Sequence, residues 1–268
     1  MKIIKEDIES LGLNKTYSEI VRLGSIDLER KLSIPKGRGQ VILVGARPGM
    51  GKSSFALDLV RSFVFIENKS AIYFSFELLS KDLSKRLISQ SSGVSYKKLA
   101  HSELSNKDLK DMSEGIFKLK NLPIYIEDSH GMDIKQMMKS MIEVSHGEEL
   151  GMIVIDYLQL VPGSDRLRIL KQIADEVKIP IIVLSQLGRT VELREDKKPI
   201  LEDLKEREEV YKYSDCILFL YRKGFYEQNK STLKSAELII AKNDNGDTGT
   251  INLKWSSNTL SFFGHCYE

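Results

Sequence analysis

The chain has 268 residues, 41% of them hydrophobic and 29% charged, and its 40 Lys and Arg nearly cancel its 38 Asp and Glu, leaving a formal net charge of +2. That length and composition describe one soluble globular domain with a sizeable core and room for a short appendage. Balanced charge with no single-sign block gives no nucleic-acid reading at the level of composition, so any such reading has to come from motifs.

At the start of the chain, Lys2, Lys5, Glu6, Asp7 and Glu9 leave no room for the apolar stretch of a signal peptide. No apolar run approaches the ~18 residues that span a bilayer. Two cysteines, Cys216 and Cys266, without paired spacing predict neither a disulfide framework nor a thiolate zinc site, and a reducing cytoplasm is the default location. His101, His130, His146 and His265 are scattered, so no histidine metal site is expected. The N-terminal stretch up to about residue 30 reads as a polar helix, with apolar spacing at Ile4, Ile8 and Leu11 and again at Ile20 and Leu23. It either packs on its own domain or docks on a neighbouring subunit. Residues 1–23 are taken as an N-terminal helical linker segment and 24–268 as the main domain.

From Gln40 onward, short β-rich apolar runs at 41–44, 71–76, 124–126, 152–155 and 180–184 alternate with longer helical patterns. Runs of this kind with helices between them predict βαβ units and a buried parallel sheet. After Lys212 the runs at 216–221, 236–241, 250–255 and 260–263 follow without helix-length spacers. That end is predicted to be a largely antiparallel extension of the same sheet, giving an α/β fold.

Between the first strand and the first helix lies a phosphate-binding pattern, G-x-x-x-x-G-K-[ST], with Ala46 in place of the first glycine. The nucleotide-binding stretch is Ala46, Arg47, Pro48, Gly49, Met50, Gly51, Lys52, Ser53 and Ser54. Gly49 and Gly51 let backbone N–H groups turn inward around phosphate oxygens, the helix N-terminus adds its positive dipole end, and Lys52 supplies a point charge. Ser53 is the expected hydroxyl ligand of Mg²⁺. A second part appears where it is needed: the apolar run at 152–155 ends in Asp156, a carboxylate suited to hold the Mg²⁺ hydration shell beside Ser53. A nucleotide with a γ-phosphate and Mg²⁺ are therefore the expected ligands.

Two more polar residues end predicted strands, Glu77 and Gln186. Open α/β sheets bind ligands at the carboxyl ends of their strands, so both side chains are candidates for the γ-phosphate region. Glu77 is assigned as the base that polarises the attacking water and Gln186 as the γ-phosphate sensor. Helix capping by Glu77 and turn satisfaction by Gln186 are the plainer alternatives.

In order along the chain, the stretch 46–53, Glu77 within 74–78, Asp156 within 154–160, Gln186 within 184–189 and the run Lys242 to Gly246 resemble the RecA-like ATPase domain of DnaB-type replicative helicases. The wording Ile155-Asp-Tyr-Leu-Gln159 carries much of that resemblance, which extends from about Gly24 to the C-terminus. It implies a RecA-like P-loop NTPase, a homo-oligomer in the form of a hexameric ring, ATP held between adjacent subunits, translocation on single-stranded DNA, contact with other replication proteins and no membrane. By resemblance, Lys52, Glu77, Gln186 and Lys242 are the catalytic residues, Lys242 acting on the neighbouring subunit's nucleotide. Arg189, Lys205 and Arg207 are the DNA-facing ones.

Four departures temper that expectation. The family's Lys-x-Arg-x-Gly run has Asp244 where its trans-acting arginine belongs, which removes a guanidinium and adds repulsion. Lys242 keeps part of the charge without the bidentate fork. The DNA-facing loop has Glu208 and Glu209 in place of a Ser-Gly element, and the connection 161–165 is short. No N-terminal helical domain is expected ahead of the ATPase region. The alternative reading is therefore a catalytically weak nucleotide-binding module that acts as a helicase partner, loader or assembly factor.

Overall fold

A computed structural model describes residues 19–129, 131–227 and 234–263. The N-terminal spacing at Ile4, Ile8 and Leu11, together with His130, His265 and Cys266, lies outside those residues. Where the described chain begins, the expected helix is absent through residue 25. Ile20 instead bridges Pro35 antiparallel, and the Val21 N–H donates to the Ile34 carbonyl at 2.8 Å. The reason is Glu29, buried on the first described helix, α1 (Ile26–Leu32). Its Oε1 accepts from the backbone N–H groups of Leu23 and Gly24 at 2.8 and 3.0 Å, and its Oε2 accepts from Arg22 Nε at 2.8 Å. A carboxylate that takes two successive backbone donors holds the strand-like approach in place of helical hydrogen bonds.

The parallel sheet follows the predicted runs. β1 (Gln40–Ala46) leads through the glycine turn into α2 (Lys52–Glu67), and β2 (Ser70–Ser75) leads into α3 (Ser80–Ser92), α4 (Tyr96–His101) and α5 (Asn106–Leu119). β3 (Ile124–Glu127), α6 (Ile134–Ser145), β4 (Leu150–Asp156), α7 (Arg166–Val177) and β5 (Pro180–Gln186) follow, and α8 (Arg207–Tyr213) leads into β6 (Cys216–Tyr221). After the five-residue α9 (Lys223–Glu227), β7 (Ser235–Asn243), β8 (Gly249–Ser256) and β9 (Ser261–Phe263) complete the sheet.

Among the described residues, nine strands lie in the order β3-β2-β4-β5-β1-β6-β7-β8-β9. The first six in that order are parallel and the last three pair antiparallel. β1, β2, β4, β5 and β6 are buried along almost their whole length, because helices cover both faces. Alternate residues feed two cores. Ile42, Val44, Tyr73 and Leu184 face α2 and α3, while Leu43, Ile72, Ile155 and Val183 face α6 and α7.

Strand register decides which side chains meet. Ala46 is opposite Gln186 across β1 and β5, and Ser75 is opposite Asp156 across β2 and β4. The P-loop, the strand-terminal Asp156 and Gln186 thus emerge at the same carboxyl edge, where open α/β sheets bind ligands.

Candidate active site

Gly51 occupies the N-cap of α2 in the left-handed region (φ 96°), and the 16-residue helix has no side-chain cap and no acid in its first turn. Its first N–H groups are therefore presented to an incoming anion rather than satisfied internally. Gly49 also has positive φ (78°). Ala46 in place of a glycine is explained by its place in the fold. It is the last residue of β1, its φ is not positive, and its carbonyl accepts from the Leu187 N–H at 3.1 Å.

A cleft of about 260 Å³ opens over this turn, lined by the glycines, Lys52, Ser53, Ser54, Glu77 and Gln186 among others. Burial pushes the Lys52 ammonium below the ordinary lysine range, and the carboxylates of Asp156 and Glu77 oppose that shift. Lys52 is thus a desolvated cation with two acids near it and phosphate-binding amides beside it.

Asp156 is 1% exposed. Its Oδ2 accepts from the Tyr73 hydroxyl at 2.6 Å, while its Oδ1 is buried without a partner among the described residues. Burial pushes the Tyr73 hydroxyl well above the ordinary tyrosine range, reinforced by the Asp156 charge and opposed by the nearby Ser53 hydroxyl. A buried carboxylate oxygen with no donor is costly unless a cation or an ordered water completes it. The donor set suits Mg²⁺: one hydroxyl, one carboxylate and room for water and phosphate oxygens, which that ion favours over an all-protein cage.

Glu77 does not cap α3. That helix has Leu79 at its N-cap without a side-chain bond, and Asp128 Oδ2 accepts from the Ser80 N–H at 2.6 Å instead. Glu77 is exposed at the cleft rim. Gln186 reaches the cleft with its backbone fixed by Gln159, whose Oε1 accepts the Gln186 N–H at 3.1 Å and whose Nε2 donates to the Ser185 hydroxyl at 2.9 Å.

Not every predicted residue joins this cluster. Ala46 and Met50 are packed in the core, and the Arg47 side chain leaves the P-loop toward Leu187 and Glu192, so these three offer the cleft backbone rather than side chains. Lys242 stands at the opposite edge of the sheet. Asn243 pairs with Cys216 at the start of β6, and Asn245 Nδ2 donates to Gln40 Oε1 at 2.6 Å at the start of β1. Seven residues of β1 separate that edge from Ala46, roughly 20 Å at the usual rise per residue. There the Lys242 ammonium donates to the carbonyls of Tyr211 and Ser214 at 3.0 and 2.6 Å and to Asp244 Oδ2 at 3.1 Å.

Arg189, Lys205 and Arg207 are exposed outside the cleft, and Arg207 pairs with Glu202 at 3.4 Å. The acids of the same segment have local tasks. Glu206 pairs with Arg166 at 2.6 Å, and Glu209 Oε1 accepts from the Leu167 N–H at 3.3 Å, tying α8 to α7.

Several residues at the site are picked out by no motif. Arg86 of α3, Leu78, Leu260 and Trp255 line the cleft. Arg222 stacks on Trp255 at 4.1 Å and donates to the Gly49 carbonyl at 3.1 Å, with burial lowering its guanidinium to about 10. Trp255 and Phe262 lie in contact, ring centroids 4.7 Å apart, so the antiparallel extension buttresses the phosphate turn from below. Hydrophobic alternation marks Trp255 and Phe262 as core, which they are; only the topology brings them under the P-loop.

A parallel sheet with a phosphate turn after β1, a carboxylate at the end of β4 and a glutamine at the end of β5 defines a RecA-like P-loop NTPase domain. The chain belongs to the family described as the DnaB-like helicase C terminal domain, which it matches over residues 22–264. It is 32% identical over 260 residues to the replicative DNA helicase DnaC of Bacillus subtilis, covering 92% of this chain and 57% of that protein. It is 33% identical to the replicative DNA helicase DnaB of Geobacillus stearothermophilus, covering 81% of this chain and 50% of that one. The chain thus spans about half the length of the curated relatives it matches. Among solved structures, an ATPase domain superposes with a TM-score of 0.83 at 28% identity, covering 97% of both chains. A DnaB-like replicative helicase, described with its interactions with primase, gives a TM-score of 0.81 at 31% identity over 90% of this chain and 62% of that one. No helix among the described residues is long and apolar enough to cross a membrane.

Proposed function

We propose that this chain hydrolyses Mg·ATP in a site completed by an adjacent copy of itself, and that hydrolysis drives movement along single-stranded DNA with strand separation. The observation that carries the chemistry is the buried, unpartnered Oδ1 of Asp156 in a cluster with Tyr73, Ser53 and Lys52. Such an arrangement is costly until a cation or an ordered water completes the carboxylate, and Mg²⁺ beside a bound phosphate would do so.

Ser53 and Asp156 would hold Mg²⁺, which supplies charge neutralisation at the phosphate oxygens. Lys52 and the α2 amides bind and orient the triphosphate, holding the γ-phosphate for in-line attack. Glu77 at the rim accepts hydrogen bonding from a water and polarises it toward the γ-phosphorus. Gln186, set at the end of β5, reads the γ-phosphate. Membership of a family whose relatives are named replicative DNA helicases supports single-stranded DNA as the track and a homo-oligomer, a hexameric ring, as the working form. Arg189, Lys205 and Arg207 are then the phosphate-contacting side chains. A primase interaction, as in the second solved relative, belongs to the same reading.

One observation favours the weaker reading of an assembly or loading module. Asp244, where a trans arginine is expected, is held beside Lys242 and offers a carboxylate to the neighbouring site. The two readings separate in steady-state ATP hydrolysis with Mg²⁺, with and without single-stranded DNA, using Lys52→Ala as the blank. Turnover that DNA stimulates and Lys52→Ala abolishes is the expected result. Turnover no higher than the blank, despite measurable nucleotide binding, would overturn the motor and leave the module.

A further inference from the structure

Arg47 belongs to the P-loop but serves the segment after β5. It is 8% exposed. Its Nη1 donates to the Leu187 carbonyl at 2.9 Å, and its Nε and Nη2 donate to one oxygen of Glu192 at 3.0 and 2.7 Å. One backbone bond runs parallel to this grip, from the Leu187 N–H to the Ala46 carbonyl at 3.1 Å.

Beyond Glu192 the chain closes on itself around a buried carboxylate. Arg194 donates to both oxygens of Asp203 at 2.6 and 2.8 Å, and the same carboxylate accepts from the Ile200 N–H at 2.8 Å and the Thr190 hydroxyl at 3.4 Å. The Gly188 N–H donates to the Asp203 carbonyl at 3.3 Å. Residues 188–203 are therefore one stapled unit, with Arg189 at its start and Lys205 just past its end. The unit is gripped at a single place by the turn that binds phosphate.

We propose that Arg47 and Glu192 are positioning residues that transmit nucleotide occupancy of the P-loop to the stapled unit 188–203, and through it to Arg189 and Lys205. The DNA-facing end of this coupling rests on the function proposed above; the nucleotide-to-segment part does not need DNA. A guanidinium held by a carbonyl and a carboxylate has little rotational slack, unlike an ammonium, so displacement or stiffening of the 47–51 turn is passed on rather than absorbed. Gln186 approaches the nucleotide from the other end of the same segment, and Arg47 gives that segment a second, independent tether. Coupling of this kind is reciprocal: whatever nucleotide does to DNA affinity, DNA does to nucleotide affinity.

Glu192 is the residue to test, because its side chain is 43% exposed and lies outside the cleft. The pair is half-buried, with the Arg47 side chain 9% and the Glu192 side chain 43% exposed, and Arg47 keeps its bond to the Leu187 carbonyl, so Glu192→Ala is expected to fold with a modestly lowered melting temperature. Amide hydrogen exchange is read on the full chain with Mg²⁺ and a non-hydrolysable ATP analogue, with and without Glu192→Ala. Nucleotide affinity and protection of 46–54 are expected to agree within twofold between the two proteins. The nucleotide-induced change across 188–203 is expected to fall at least threefold in Glu192→Ala, and the ratio of single-stranded DNA affinities with and without nucleotide to collapse toward one. A variant whose 188–203 segment responds as fully as the parent overturns the proposal. So does a parent whose P-loop is protected while 188–203 is unchanged. Failure of the parent to show any protection at 46–54 instead sinks the nucleotide function itself, and the coupling with it.

Discussion

Gly51 and Gly49 are both tightly constrained in the phosphate turn, Gly51 by the antiparallel extension. The Gly51 backbone is left-handed (φ 96°) and packed against two rings, and an added Cβ would stand 3.1 Å from Phe262 and 3.2 Å from Trp255. A non-glycine residue there is strained by roughly 1–2 kcal/mol before any crowding is counted. Gly51→Ala is expected to lower nucleotide affinity at least tenfold and to reduce the melting temperature, checked by nucleotide titration beside a thermal melt. A second residue, Asp58 on α2, makes a pH prediction. Its Oδ2 accepts from the Phe262 N–H at 2.6 Å, and burial raises its carboxyl to about 7 in spite of that bond and the nearby Arg61. Between about pH 4 and 7 the folded chain keeps a proton that the unfolded chain has released, so stability falls as pH rises through that window and levels off above it. Asp58→Asn keeps an acceptor for Phe262 without the charge. Its stability relative to the parent is expected to rise by on the order of 3 kcal/mol between pH 4 and 8, measured by denaturant unfolding at each pH. A difference that is independent of pH would show that Asp58 ionises normally.

At the scale of elements, the approach of β1 to α7 depends on Gly39. A Cβ there would fall 2.2 Å from the backbone carbon and oxygen of Ala174, atoms that cannot yield without moving the helix. Gly39→Ala is expected to cost about 2–3 kcal/mol in overall stability while the folded fraction binds nucleotide as before, which denaturant unfolding and titration together will show. This close approach is illegible in the sequence, since nothing around Gly39 announces a helix from residue 166 onward lying against it. What the sequence does announce is local. The parallel strands are continuous apolar runs, and the phosphate turn, Asp156 and Gln186 each sit at the end of one, so their shared edge follows from parallel pairing. Arg86, Tyr73 and Trp255 are hidden because a helix and two distant strands deliver them, and side chains of their type look like ordinary core or surface. The N-terminal segment misleads for a similar reason. Ile20 and Leu23 are spaced as on a helix, but the Glu29 carboxylate captures the Leu23 and Gly24 amides and fixes a strand-like path.

The whole molecule has two faces that its own chain never brings together. The nucleotide cleft opens at the carboxyl edge of the parallel strands, and Lys242 and Asp244 lie at the amino edge, roughly 20 Å away by strand rise. Any action of these residues on a nucleotide would therefore be across a boundary between copies, and contact of unlike faces generates a head-to-tail arrangement, a ring where the rotation closes and an open filament where it does not. In the proposed arrangement Asp244 would place a carboxylate near a polyphosphate, and a guanidinium in its place would stabilise the charge that develops on phosphoryl transfer. Arginine supplied in trans is worth on the order of 10³ or more to such reactions where its geometry is good. Asp244→Arg is accordingly expected to raise ATP turnover at least tenfold, with a rate per chain that increases with protein concentration until assembly is complete. Asp244→Ala separates relief of repulsion from gain of the guanidinium and is expected to give the smaller rise. Mixing locates the effect. Chains that carry both Lys52→Ala and Asp244→Arg hydrolyse nothing alone, yet added to the parent chain they are expected to increase its turnover, because each lends a guanidinium to a neighbour whose P-loop is intact. If the doubly substituted chain leaves the parent unchanged while the two co-assemble, the amino edge does not meet the neighbour's nucleotide, and the head-to-tail placement fails.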